Sequence, residues 1–217
     1  MADESTPDPA TPDPATPDPA TLRLDPVTLR GLAHPLRVRI LGVLREHGPA
    51  NATTLSHMLG QSTGATSYHL RQLASYGFIV EDTEPAKPAK PAKSAKSAKG
   101  GRERWWKAAH RGTFLDEQVA RHSPEVTEAY TRAIAAQYHE RIDRWLNEAL
   151  SMPPEWIPAA TLSDWRFRLT PEEAKQLHDA IFELVERFRR DEPGADVPGA
   201  EVVVFQAQIL PFTGSRQ

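Results

Sequence analysis

The sequence of 217 residues contains no cysteine, which excludes disulfide bonds, thiolate metal sites and a cysteine nucleophile. It also lacks any apolar run near the roughly 18 residues that a membrane-spanning helix needs. The amino terminus has no basic region followed by an apolar stretch, so we expect no signal peptide. Together these absences predict a soluble, cytoplasmic protein without a membrane partner.

The formal net charge of −3 is small, but charge is distributed unevenly along the chain. Residues 1–20 carry five acidic residues and no Lys or Arg, whereas residues 21–110 carry fourteen Lys and Arg against six Asp and Glu. Residues 111–217 carry twelve basic residues against eighteen acidic ones. The middle block therefore has a net charge of +8, which favours a module that binds a polyanion. Chance clustering of surface charge is the alternative.

The first part of the chain, residues 1–21, is predicted to be a disordered tail. It contains Thr-Pro-Asp-Pro-Ala three times in tandem over residues 6–20. Proline at this density prevents regular helix and sheet, and the repeat has no large apolar side chain to bury. Whether the repeat has a function or is a neutral expansion stays open.

The next part, residues 22–112, has the pattern of several short helices followed by two strands. Pro35 divides the apolar pattern of residues 26–47 into two helices, because proline is tolerated only in the first turn of a helix. Residues suited to capping or ending two further helices follow: Asn51, Gly60, Ser62 or Thr63, and Gly77. The segments FIVED and RERWWKA then predict two strands, in which only one of Trp105 and Trp106 can face the core. This is the element order of a winged helix-turn-helix.

Three motifs in this region resemble those of ArsR-type winged-helix transcriptional regulators. LAHPLRVRIL (Leu32–Leu41) resembles the second-helix motif of the family, and SYHLRQLASYGFI (Ser67–Ile79) resembles its recognition helix. GRERWW (Gly101–Trp106) resembles the start of the return strand of the wing. The resemblance covers residues 26–110. It implies a sequence-specific regulator of transcription that binds double-stranded DNA as a dimeric repressor and is not an enzyme.

The predicted recognition helix, about residues 63–76, has a side suited to the major groove of DNA. Winding it at the helical period places Leu70 and Leu73 on one side and small or polar residues opposite. Ser67 and His69 lie on the flanks, where they suit phosphate contacts. The residues predicted to contact DNA in and before this helix are Ser62, Thr63, Gly64, Ala65, Ser67, Tyr68, His69, Arg71 and Gln72.

A lysine-rich segment, residues 84–101, joins the two predicted strands and would form the loop of the wing. Its Pro-Ala-Lys repeat favours a polyproline II helix, whose three residues per turn align successive lysines on one edge. Such a row suits backbone phosphates but carries no information about base sequence. An inert repeat is the alternative. The predicted phosphate contacts are Lys87, Lys90, Lys93, Lys96, Lys99 and Arg102.

The last part, residues 113–217, is predicted to hold a long dimerisation helix and a small carboxy-terminal unit. Ser123 and Pro124 begin the long helix, whose apolar stripe comprises Val126, Tyr130, Ala133, Ile134, Ile142, Trp145 and Leu146. In the family that the sequence resembles, a helix at this position pairs the subunits. LSDWRFRLT and AEVVVFQAQILPF predict strands on either side of a helix that begins at Thr170. The predicted fold class is therefore α+β, mostly helical: a winged helix-turn-helix domain, a long dimerisation helix and a β-α-β unit.

No cofactor or metal is expected. Many members of the resembled family bind metals through a thiolate pair in the helix that here contains TTLSHMLG, which offers only His57. His139 and Asp143 have ligand spacing, but a solvated helix face explains them better. A small-molecule effector of unknown identity, bound by the carboxy-terminal part, stays open beside a purely dimerising role.

Two other classes of function remain as alternatives. The winged fold could serve as a ligand-binding or protein-interaction module without DNA, although the basic block of residues 21–110 argues against this. An enzyme with its site in residues 150–217 is the least supported, because no paired carboxylates, nucleophile–base pair or glycine-rich phosphate loop is present there.

Overall fold

A computed structural model describes residues 20–83, 103–188 and 197–212. The described residues form two units, one that ends at Ser151 and one that begins at Met152. Most of the predicted tail and the lysine-rich segment with Arg102 lie outside the described residues. No helix within the described ranges is both long and apolar enough to cross a membrane.

The described residues are mostly helical, with small sheets. Seven α-helices are described in chain order: α1 (Pro26–Gly31), α2 (Pro35–His47), α3 (Ala52–Leu59), α4 (Thr63–Ser75), α5 (Glu117–His122), α6 (Pro124–Glu148) and α7 (Pro171–Glu186). Five strands are described: β1 (Thr21–Leu24), β2 (Ala50–Asn51), β3 (Ile79–Glu81), β4 (Trp105–Ala108) and β5 (Gly112–Leu115).

Local signals set the ends of the helices in the first unit, as predicted. Pro35 is the first residue of α2, and the Asn51 side chain caps α3 by accepting a hydrogen bond of 2.7 Å from the Thr54 amide. Ser62 caps α4 through the Ala65 amide at 3.2 Å. Gly60 ends α3 with a φ of 63°, a left-handed conformation that glycine adopts without a Cβ clash. Ser123, by contrast, precedes α6 without making a side-chain cap bond to a described residue.

The predicted strand pair is confirmed. β3 and β4 run antiparallel, with Glu81 opposite Trp106, and β2 pairs with the other edge of β4. The alternation of side chains along β4 buries Trp106 and leaves Trp105 only partly covered, as predicted. A second sheet was not predicted: β1 pairs in parallel with β5, so Thr21, at the end of the predicted tail, belongs to a strand.

The core of the first unit lies among α1 to α4, with the β3–β4 pair at one side. Its most deeply buried side chains are Leu29, Leu32, Ile40, Leu55, Leu70, Leu73, Phe78 and Ile79. Burying each such side chain stabilises the fold by roughly 1.5–3 kcal/mol. Helix α6 packs on α2 beside this core, where a Cβ added to Gly42 would lie only 1.8 Å from Nε2 of Gln137. A side chain at position 42 would therefore displace the amide end of Gln137, which is the end of a flexible side chain.

Of the predicted β-α-β unit, the helix is confirmed and the two strands are wrong. Helix α7 forms with the predicted capping box, in which Thr170 and Glu173 bond each other's backbone amide groups. Residues 162–170 and 200–212, however, pair with no strand in the part of the chain that the structure describes. Alternation of apolar residues indicates an extended segment, but a strand forms only where a second segment accepts its backbone hydrogen bonds.

Candidate nucleic-acid interface

Helices α3 and α4 are joined by a turn of three residues, Gly60 to Ser62. The turn is closed by the Gln61 amide, which donates to the Ser56 carbonyl at 2.9 Å, and by the cap that Ser62 gives to α4. The hydroxyl groups of Ser56 and Thr63 lie 3.3 Å apart across the junction. These contacts fix the direction in which the amino-terminal end of α4 leaves α3, so α4 is held as a rigid element.

Helix α4 has a buried side and an exposed side, as the helical pattern predicted. Thr66, Leu70 and Leu73 are at most 1% exposed and face the core. Gly64, Tyr68 and Arg71 are exposed on the other side, with Tyr68 52% exposed. The remaining predicted residues are intermediate or border this side: Ser62 and Thr63 are exposed, whereas Ala65, Ser67 and Gln72 are partly covered. The structure thus places a continuous set of predicted DNA-contacting residues on one surface.

His69 departs from its predicted place on the flank of this surface. The residue is only 9% exposed, and its ring lies 4.3 Å from the ring of His34, measured between centroids. His34 caps α2 through the Leu36 amide at 3.1 Å, so the start of α2 covers the side of α4 that carries His69. The expected exposed position of His69 is therefore wrong, because the tertiary neighbours of α4 enclose the ring. The phosphate contact itself stays a prediction.

Burial lowers the pKa of His69, and the nearby charges of His34 and Arg37 lower it further. Nδ1 of His69 and Nε of Arg37 are buried without a hydrogen-bond partner among the described residues. The Arg37 side chain is nonetheless anchored, because its Nη2 donates to the Arg30 carbonyl at 3.0 Å. His69 is consequently neutral at pH 7 and packs α4 against the α1–α2 junction.

The β3–β4 pair leads directly into and out of the lysine-rich segment. Beyond β3, the Asp82 amide donates to the Trp105 carbonyl at 2.8 Å, and Lys107 forms an ion pair of 3.3 Å with Asp82. These bonds bring the two ends of the segment together on the first unit. The predicted phosphate contacts from Lys87 to Arg102 lie outside the described residues, and they stay predictions.

Much of the basic charge lies in that segment. Residues 84–102 carry six Lys and Arg against one Glu, so they contribute +5 of the net +8 of residues 21–110. On the described surface of α4, Arg71 is the basic residue of the exposed side. More than half of the net positive charge of residues 21–110 therefore lies in the segment and not on α4.

The described residues contain no cluster of three or more His, Asp or Glu side chains that could hold a metal ion. His139 and Asp143, which have ligand spacing, form an exposed contact of 3.5 Å along α6.

Residues 32–82 match the family model described as a helix-turn-helix domain. The chain carries a helix-turn-helix domain. The matched range begins directly after α1 and extends through α2, α3, α4 and β3, so it includes the surface described above. This domain is typical of DNA-binding regulators, and its second helix corresponds to α4.

Similarity of the whole chain to other known proteins is low. No curated protein matches the chain. Among solved structures, the chain is similar to the crystal structure of RV1404 from Mycobacterium tuberculosis, with 20% sequence identity and a TM-score of 0.30. The match covers 58% of this chain and 84% of the RV1404 chain. A TM-score of this size does not establish a common fold.

Proposed function

We propose that the chain is a sequence-specific, DNA-binding transcriptional regulator of the ArsR type that acts as a homodimeric repressor without catalytic activity. The observation that carries the proposal is the exposed side of α4. It presents Tyr68 and Arg71 to solvent while Leu70 and Leu73 anchor the same helix in the core. A helix that is held rigidly on one side and polar on the other is the element that enters a major groove.

The proposed contacts follow from the chemistry of each side chain. Arg71 and Gln72 can form paired hydrogen bonds to base edges, and the Tyr68 hydroxyl can donate or accept one. Gly64 and Ala65 are small, so the amino-terminal end of α4 can approach the bases closely. Ser62, Thr63 and Ser67, together with the lysines of residues 84–101, would contact phosphates and hold the helix in place.

Two copies are needed because one recognition helix covers too few base pairs for a specific site. Dimeric regulators of this kind bind two half-sites about 34–36 Å apart. The carboxy-terminal half of α6 offers a surface for pairing, since Leu146 is 49% exposed and Trp145 and Ile142 are only partly covered. We place the subunit contact there, with residues 152–212 as a second contribution.

Selection of bound fragments from a random DNA pool tests the proposal and supplies the operator. On the selected operator, Arg71→Ala, Gln72→Ala and Tyr68→Phe should each weaken binding by about 1–3 kcal/mol where a base contact is lost. Arg132→Ala is a matched control, because Arg132 is exposed on α6. In transcription from a template that carries the operator, the wild-type chain should lower the yield of transcript.

Failure to enrich any sequence would contradict sequence-specific binding. Full operator affinity in all three α4 variants would place base recognition outside α4. An increase in transcript would leave DNA binding intact but contradict the assignment as a repressor.

A further inference from the structure

A cavity of about 420 Å³ lies between α2, β5 and α6, wholly within the first unit. Its size falls within the roughly 300–1,000 Å³ of small-molecule sites. One part of its wall is apolar and another is basic and hydroxylic. The residues that matter for its chemistry are Leu41, Arg45, Thr113, Tyr130, Ile134 and Tyr138.

Arg45 is a basic residue of this wall, and its charge has no counterion among the described residues. Its Nε donates to the His110 carbonyl at 3.0 Å, which holds the side chain in place. No carboxylate in the described ranges forms an ion pair with Arg45, and no described residue accepts a hydrogen bond from its two terminal nitrogens. Burial lowers the pKa of Arg45 from its usual range to about 10, so the guanidinium is still charged at neutral pH. A partly buried cation with free donors is stabilised by an anion.

The one carboxylate that lines the cavity among the described residues, Glu46, is engaged elsewhere. Glu46 accepts hydrogen bonds from Arg141 and, at 3.3 Å, from Nη1 of Arg144, both on α6. Burial raises the pKa of Glu46, but the bonds from Arg141 and Arg144 outweigh burial and hold the pKa below its usual value. Glu46 is therefore ionised and committed to α6, and it does not neutralise Arg45.

The wall beside Arg45 combines a hydroxyl pair with apolar surface. The hydroxyl groups of Tyr130 and Thr113 lie 2.9 Å apart, and Tyr130 is only 8% exposed. Burial raises the pKa of Tyr130, so the phenol is neutral and able to donate a hydrogen bond. Leu41 and Ile134 line the same cavity. A cationic end next to an apolar wall fits a small molecule that has a carboxylate and an apolar body.

We infer that this cavity binds a small organic carboxylate, with the carboxylate on Arg45 and the apolar body against Leu41 and Ile134. A ligand in this position would contact α2, which packs on α4, and α6, which carries the proposed subunit surface. It could therefore alter DNA affinity by changing the packing of α2 on α6. This regulatory part of the inference rests on the proposed function, whereas the binding site itself does not.

Direct binding to the full chain, without DNA, tests the site. The probes are benzoate, phenylacetate and isovalerate at millimolar concentration, each compared with its neutral amide, by calorimetry and by the shift in melting temperature. The acids should bind and raise the melting temperature, and the amides should bind at least about tenfold more weakly, as expected when a hydrogen bond to a charged group is lost.

Substitutions identify the residue responsible. Arg45→Gln should weaken binding of the acids at least about tenfold, and Arg45→Lys should weaken it less because the charge remains. Arg132→Gln, on the exposed side of α6, should leave binding unchanged. The comparison of acids with amides uses the wild-type chain, so it tests whether the cavity prefers carboxylates even if Arg45→Gln does not fold.

Three results would overturn the site: no acid binds, the amides bind as tightly as the acids, or a folded Arg45→Gln variant binds as the wild type does. Operator affinity with and without a bound acid then tests the regulatory part, which an unchanged affinity would overturn. A chain that binds the acids but enriches no DNA would retain the site and lose the proposed function. A chain that enriches an operator but binds no acid would retain the proposed function and lose the site.

Discussion

The two units differ in how they use their apolar side chains. Every buried residue of the described chain lies between Leu24 and Ala133, in the first unit. In the second unit, Trp165 is 74% exposed, Phe205 is 64% exposed and Phe212 is 80% exposed. Contiguous exposed apolar surface is typical of interaction surfaces. The first unit therefore completes its core within one chain, whereas the described residues of the second unit leave these apolar side chains exposed. We propose that a second copy of the chain covers them.

Helix α6 shows the same division along its own length. In its first half, Tyr130 and Ala133 are buried and Ile134 packs against the core of the first unit. In its second half, Leu146 is 49% exposed. The predicted stripe is therefore not one dimerisation surface, because its first part is occupied by packing on α2. A charge at Ile134 would test the core, whereas a charge at Leu146 tests the subunit contact.

Paired leucine substitutions should give the largest contrast between the units. Leu73→Ala, at a site that is 0% exposed, should lower the free energy of unfolding by about 2–5 kcal/mol because it leaves a cavity. Leu169→Ala, at a site that is 42% exposed, should change it by no more than about 0.5 kcal/mol in dilute protein. Urea unfolding followed by tryptophan fluorescence measures both. Equal losses at low concentration would show that the second unit has a core of its own.

Charge at the exposed end of α6 should have the next largest effect. Leu146→Glu should weaken self-association by at least about tenfold, because it replaces an apolar contact by a charge that must be desolvated. Asn147→Glu introduces the same charge at the neighbouring exposed position and is the control. Analytical ultracentrifugation over a range of concentrations separates the two. Self-association that survives Leu146→Glu would move the subunit contact elsewhere.

Removal of the lysine-rich segment should change DNA binding without changing the core. The change is the replacement of residues 85–99 by a short glycine-containing turn. If two or three lysines contact phosphates, the slope of the logarithm of the DNA-binding constant against the logarithm of the salt concentration should become shallower by about two to three units. Preference for the operator over random DNA should hardly change, because phosphates carry no sequence. A salt titration of both chains measures the slope. An identical slope would make the segment an inert spacer.

The smallest effect concerns pH and is confined to the first unit. Burial, assisted by His34 and Arg37, lowers the pKa of His69 below its usual 6.5, so below that pH the unfolded chain takes up the proton more readily than the folded chain. The contribution of neutral His69 to the free energy of unfolding is therefore fully present at neutral pH, and it declines as the pH falls below about 6.5. His69→Gln should remove this part of the pH dependence, and His57→Gln, at an exposed position, should retain it. Urea unfolding at several pH values makes the comparison, and identical profiles for wild type and His69→Gln would contradict it.

The sequence by itself determined where most helices begin and end. Pro35, Asn51, Gly60 and Ser62 act through bonds and steric limits within a few residues, so their effects can be inferred from the order of the chain. The division of α4 into a buried and an exposed side followed from the helical period for the same reason.

Only the tertiary structure decided which surfaces are covered. His69 is buried because His34 and the start of α2 lie against it, and a helical wheel gives the direction of a side chain but not its neighbour. The parallel pairing of β1 with β5 joins segments that are distant in the chain. Such a pair has no connecting hairpin turn, so no local sequence pattern predicts it. Residues 162–170 have a strand pattern but no strand among the described residues, since an extended backbone becomes a strand only where another chain segment accepts its hydrogen bonds.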